Sequence, residues 1–181
     1  MNPTGTRPLP LLDVADFGPT LDHVAEAHQN GRIFAIVHTS DPVRPYLPLV
    51  QLDPNDPCVY VFVHGGQEFT RFENLRYGTH EIPSAVVAAL LRAEYGTLLD
   101  GLCVRMCTCY GNMLRPGDTR TTVGNLARLL PATGFEAYHG FVKIDSTQPP
   151  LVIALGDSLA WNPVSGPYQV GPPGPWEPVA P

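Results

Sequence analysis

The chain has 181 residues, of which 21 are proline, 17 are glycine, 44% are hydrophobic and only 15% are charged. That length fits one domain, and the apolar content is enough for a packed core and argues against full disorder. Proline at about twice its average frequency excludes a coiled coil or helical bundle, no run of about 18 uncharged apolar residues marks a membrane span, and a net charge of -6 with one lysine, Lys143, disfavours a nucleic-acid partner.

Residues 1–18 are loop-like, with Pro3, Pro8 and Pro10 and no charged-then-apolar leader pattern. A cytoplasmic setting is expected, and delivery by a specialised secretion apparatus would leave no mark in the sequence. Residues 20–29, TLDHVAEAHQ, predict a short helix stopped by Asn30-Gly31, with His23 and His28 on its surface. The β-branched run 32–38 is expected to pair with 46–52 as an antiparallel hairpin, because the link between them is short. Residues 58–63, CVYVFV, predict a strand ending in His64-Gly65-Gly66. Residues 83–95 predict a buried helix with Pro83 in its first turn and Gly96 as its stop.

Residues 102–109, LCVRMCTC, predict the next strand, closed by Gly111. A polar loop leads to a helix over 121–130, capped by Thr121 or Thr122, with Val123, Leu126, Ala127 and Leu130 on its apolar face. Residues 135–144 and 151–156 predict two more strands. Strands alternating with helices argue for a parallel sheet covered by helices. Residues 162–181 hold seven prolines and read as an irregular surface tail after a single domain over 1–161. The sharper alternative is a docked aromatic anchor, Tyr168 or Trp176.

In open α/β sheets, ligands bind beyond the carboxyl ends of the strands. Two predicted strands end there in reactive residues, His64 and Cys109. If the strands are neighbours, their tips lie about 5 Å apart. An imidazole beside a thiol promotes the thiolate and can later protonate a leaving group. Gly65 and Gly66 allow close backbone approach, Gly111 a sharp turn, and the N–H groups of Gly65 and Cys109 are candidates for an oxyanion hole.

The four cysteines are Cys58, Cys103, Cys107 and Cys109. A disulfide between residues i and i+2 of one strand is geometrically awkward, so a disulfide framework is not expected and a reducing compartment fits better. Cys58, Cys103 and Cys107 read as core residues. A zinc site from Cys103, Cys107, Cys109 and His139 is set aside, because cysteines inside an apolar strand present their sulfurs poorly to one ion.

An apolar strand ending in His-Gly, followed 45–50 residues later by one ending in a small residue, Cys, any residue and Gly, resembles the caspase-type cysteine peptidases. The matching residues are Val61-Phe62-Val63-His64-Gly65 and Cys107-Thr108-Cys109-Tyr110-Gly111, and the resemblance covers roughly 58–142. It is similar to bacterial caspase-like modules, some attached to secreted toxins or to immune proteins, which implies a role as a bacterial effector or toxin. The resemblance implies a three-layer α/β/α sandwich with a mostly parallel central sheet and flanking hairpins. It implies peptide hydrolysis through an acyl-enzyme, with Cys109 as nucleophile and His64 as general base and acid, and no cofactor or metal. Gly66, His80, Arg105 and Asp118 are candidate substrate-binding residues, with Glu68 a further charged candidate. The expected partner is a protein or peptide substrate. The alternatives are a catalytically silent module that displays its Pro-rich tail, and a thiol acyltransferase or deamidase using the same pair.

Overall fold

The structure is a computed structural model that describes residues 7–8, 23–66, 72–74, 80–114, 116–147, 149–156, 158–162, 166–171 and 175–181. The fold is α/β. The chain runs β1 (Arg7–Pro8), β2 (His23–His28), β3 (Ile33–His38), β4 (Val59–Val63), β5 (Phe72–Asn74), β6 (His80–Ile82), α1 (Ser84–Tyr95) and β7 (Cys103–Cys107), and continues through α2 (Thr122–Leu129), β8 (Gly134–Ala137), β9 (Val142–Asp145), β10 (Val152–Leu155), β11 (Ser158–Asn162), β12 (Gly166–Gly171) and β13 (Glu177–Pro178). The main sheet has the order β1-β2-β3-β4-β7-β8-β13. Its four central strands, β3, β4, β7 and β8, are parallel, and antiparallel strands flank them on both sides.

Alternation along the strands divides the core between the two faces of the sheet. Val59, Val61 and Val63 of β4, with Val104 and Met106 of β7, face α1 and α2. Tyr60, Phe62 and Cys107 face the opposite way. That second face is covered by a 3-10 segment, Arg44–Leu49, and by the β9–β10 hairpin. Among the described residues it carries no α-helix, so the helical layer is on one face only.

The two α-helices lie where their patterns place them. Pro83 stands at the N-cap of α1, and Gly96 ends that helix at φ 57°. The Thr121 side chain caps α2 by accepting the Gly124 N–H at 2.9 Å.

Several local expectations are corrected. The segment read as a helix at 20–29 contains β2 instead. Asn30 and Gly31 have positive φ, 57° and 82°, and serve as a hairpin turn into β3 rather than as a helix stop. His28 accordingly lies half-buried in a strand, and burial lowers its pKa against the pull of Glu26. The antiparallel partner of β3 is β2, not 46–52, where Pro45 and Pro48 fall inside the 3-10 segment and leave two donors out of any ladder. The single strand predicted over 135–144 is two strands in different sheets, broken between Tyr138 and Phe141. The carbonyls of Tyr138 and Gly140 in that break accept the N–H groups of Asn112 (3.1 Å) and Tyr110 (2.8 Å).

Cys58 and Cys103 form a disulfide. Cys58 immediately precedes β4 and Cys103 begins β7; these strands are adjacent and parallel, so the bond crosses between strands and not along one. The expectation of no disulfide is overturned, and with it the argument for a reducing compartment. The C-terminal residues dock rather than trail: β13 pairs with β8, Val179 packs on the helical-side core, and Trp176 lies over Arg105. This is the anchored alternative, carried by Trp176; the side chain of Tyr168 lies outside what is described.

Candidate active site

The parallel register between β4 and β7 builds the site. Val59 pairs with Val104, and each later pair keeps the same offset of 45 residues, up to Phe62 with Cys107. Two residues further along each chain come His64 and Cys109. They share the parity of Tyr60, Phe62, Arg105 and Cys107, so both belong to the face covered by the β9–β10 hairpin.

The two strand tips touch through glycine. A Cβ added at Gly65 would collide with the Cys109 carbonyl oxygen and with Cγ2 of Thr108. Only a residue without a side chain lets the His64 loop lie this close to the Cys109 turn. Thr108 is wholly buried, and its hydroxyl has no hydrogen-bond partner among the described residues.

The turn that carries Cys109 is tight and strained. Tyr110 has φ 57°, in the left-handed region that bulky residues avoid. The surroundings hold it there: its ring is buried edge-on against Phe141 at 5.1 Å between centroids, and its N–H donates to Gly140 O. Strain of this kind persists only when neighbours over-determine it, and it gathers at functional sites. The sharp turn was expected from Gly111, but the left-handed residue is Tyr110. Gly111 is needed for packing, since a Cβ there would lie 2.9 Å from Cγ2 of Val123 on α2.

His64 and Cys109 line one pocket, together with Val37, Val43, Phe62, Val63, Cys107, Val142, Lys143 and Ile144. Its volume of about 40 Å³ suits a small side chain or a few waters, not a nucleotide-sized cofactor. Its walls are mainly valine, isoleucine and phenylalanine, with the two free cysteines and His64 beside them.

The Cys109 thiol donates to the Val142 carbonyl at 3.5 Å. Burial pushes this thiol above its ordinary value, against backbone hydrogen bonding at Val142 and at Cys109 itself. Burial pushes the fully enclosed Cys107 thiol up as well. Burial therefore favours the neutral thiol at both positions.

His64 meets a partner that the sequence did not suggest. Its Nε2 lies 2.5 Å from Oδ2 of Asp41, in the turn just beyond β3. The run 32–38 was assigned to a hairpin, so its carboxyl tip was not recognised as an edge of the same parallel sheet. An acidic residue three positions past an apolar β-branched run is the signal that could have found it.

The other candidates are placed differently. Gly66 is buried beside the site. Asp118 lies in the loop before α2 and does not line the pocket. His80 is in β6, with its side chain outside the described residues, as is Glu68. Arg105 sits two residues before Cys107, within β7, and does not line the pocket. Its Nε and NH2 donate to Oε2 of Glu136 at 2.9 and 2.7 Å, and its NH1 donates to the Tyr60 hydroxyl at 2.7 Å and to Asp56. Its guanidinium carbon stands 5.3 Å from the Tyr60 ring centre and 5.5 Å from that of Trp176. Arg105 thus joins Asp56, Tyr60, Glu136 and Trp176 into one network outside the pocket. The zinc set is dispersed as well, since Cys103 is bonded to Cys58 and His139 Nδ1 pairs with Glu177 at 3.2 Å.

No protein-family model, curated protein or solved structure matches the chain. The chemistry of the site therefore rests on its own residues.

Proposed function

We propose that the protein is a cysteine hydrolase of caspase-like fold that cleaves a peptide bond through an acyl-enzyme. The observation that carries this reading is the common offset of β4 and β7, which delivers His64 and Cys109 to one pocket at the carboxyl edge of a parallel sheet. The parallel order β3-β4-β7-β8 supports the fold, while the hairpin on the second face is a departure from a full sandwich.

In the reaction the Cys109 proton passes to His64 as the sulfur attacks the substrate carbonyl. The tetrahedral intermediate collapses, the C–N bond breaks, and the imidazolium gives its proton to the leaving amine. Water then attacks the thioester while His64 takes its proton, and the carboxylic acid leaves as the thiol is restored. Because burial raises the Cys109 thiol, activation depends on His64 and on displacement of the Val142 contact by substrate. The aliphatic pocket favours a small, uncharged side chain beside the scissile bond.

One observation favours a catalytically silent module: the resting thiol is covered by β9 and bonded to it. A peptide library digested by wild type, Cys109→Ala and His64→Ala separates the two. The hydrolase reading predicts cleavage after small apolar residues in the wild type only; equal profiles from all three proteins would remove it.

A further inference from the structure

We propose that Asp41 is the positioning residue of this site, holding His64 in one tautomer and balancing the charge that His64 acquires. The inference rests on the hydrolase reading and extends it from a pair to a thiol–imidazole–carboxylate series. It begins with an anomaly: Asp41 is a carboxylate with only 4% of its surface exposed. Burying a carboxylate is costly unless both oxygens find partners. Both do. Oδ1 accepts the Val43 N–H at 2.9 Å, and Oδ2 meets Nε2 of His64 at 2.5 Å.

The backbone fixes where that carboxylate stands. The Asp41 N–H donates to His38 O at 2.9 Å, and the Asp41 carbonyl accepts the Arg44 N–H at 3.1 Å. The turn is therefore closed on both sides of the residue, directly past the end of β3. The Arg44 side chain, in the same turn, reaches Glu26 and the Thr39 carbonyl. Asp41, His64 and Cys109 thus follow three adjacent parallel strands, β3, β4 and β7, in that order across the sheet.

The chemistry follows from the contact. A carboxylate on Nε2 keeps the proton there, so Nδ1 is the ring nitrogen left to accept the thiol proton. When His64 becomes imidazolium, the buried negative charge stabilises it without reorganisation. Asp41 touches neither substrate nor sulfur, so it acts only through His64.

The test uses the full chain. Asp41→Asn keeps an oxygen for the Val43 N–H but loses the charge. It is expected to lower kcat on a cleaved peptide by about 10²-fold or more with little change in KM, and to slow iodoacetamide modification of Cys109 at neutral pH. The ¹⁵N shifts of the wild-type His64 ring should report a proton on Nε2. Asp41→Asn with wild-type kcat and wild-type alkylation would overturn the proposal, as would a wild-type ring protonated on Nδ1 alone, which can be read even if the variant does not fold. The two readings fail separately: cleavage that survives Cys109→Ala removes the hydrolase, whereas a dead Cys109→Ala beside a fully active Asp41→Asn removes only the role of Asp41.

Discussion

Cys58 and Cys103 stand opposite each other where β4 and β7 begin, joined by a disulfide with their Cα atoms 4.6 Å apart. The separation of 45 residues between them is also the offset of every ladder pair that follows, and of His64 from Cys109. One register therefore has a covalent clamp at its start and both His64 and Cys109 just past its finish. A slip of one residue would turn every side chain of one strand to the opposite face. Cys58→Ser with Cys103→Ser is expected to lower stability by about 2–4 kcal/mol, since the bond closes a long loop. Thermal melts of the native and reduced protein check this; identical melting temperatures would show that the clamp contributes nothing.

Gly65 is the second mechanical contact between the tips. Gly65→Ala forces a methyl group onto the Cys109 carbonyl and Thr108, and a backbone carbonyl cannot swing aside. The expected cost is about 1–3 kcal/mol in stability, together with loss of hydrolysis as the two tips are pushed apart. Melting temperature and peptide turnover measure the two effects independently.

Arg105 is expected to matter for stability and not for chemistry. Burial pushes Asp56 up, but hydrogen bonds from Tyr60 and the Cys58 N–H and the charge of Arg105 outweigh it, so its carboxyl stays below the usual value. Arg105→Met strands Asp56 and Glu136 without their cation and should cost about 1–3 kcal/mol. The alkylation rate of Cys109 should stay within about twofold of wild type, because the guanidinium lies outside the pocket; a tenfold drop would return Arg105 to the site.

Alkaline pH should destabilise the fold. Burial first, with the Asp56 hydrogen bond, pushes Tyr60 up to about 12, and burial with the nearby Cys109 does the same for Tyr110. The Cys107 and Cys109 thiols are raised by burial as well. Each of these groups keeps its proton longer in the folded chain than in the unfolded one. Between the ordinary values, 9.0 for the thiols and 10.0 for the phenols, and the raised ones, the unfolded state therefore binds fewer protons, and stability falls as pH rises. Urea midpoints should be flat between about pH 8 and pH 9 and decline from there to about pH 12.

The ends of β4 and β7 were legible because apolar runs stopped at His-Gly and at Cys-Tyr-Gly. The helices were legible from Pro83, Gly96 and Thr121, whose conformational preferences act locally. What was hidden depends on pairing. Asn30-Gly31 punctuates a helix or a hairpin equally well, and Ala25 and Ala27 carry no strand preference that would decide between them. Cys58 and Cys103 are bonded because two strands are parallel and in register, which spacing alone does not reveal. Asp41 became part of the site only once β3 proved to be the parallel neighbour of β4.

The most direct measurement treats the native, unreduced protein with a peptide electrophile bearing a small apolar side chain and locates the adduct by mass spectrometry. Two cysteines are bonded to each other, and of the two free thiols Cys107 is buried while Cys109 is only half-buried. The account predicts one adduct per chain, on Cys109, formed at least about tenfold more slowly in His64→Ala. An adduct on Cys107, or a rate on Cys109 indifferent to His64, would contradict it.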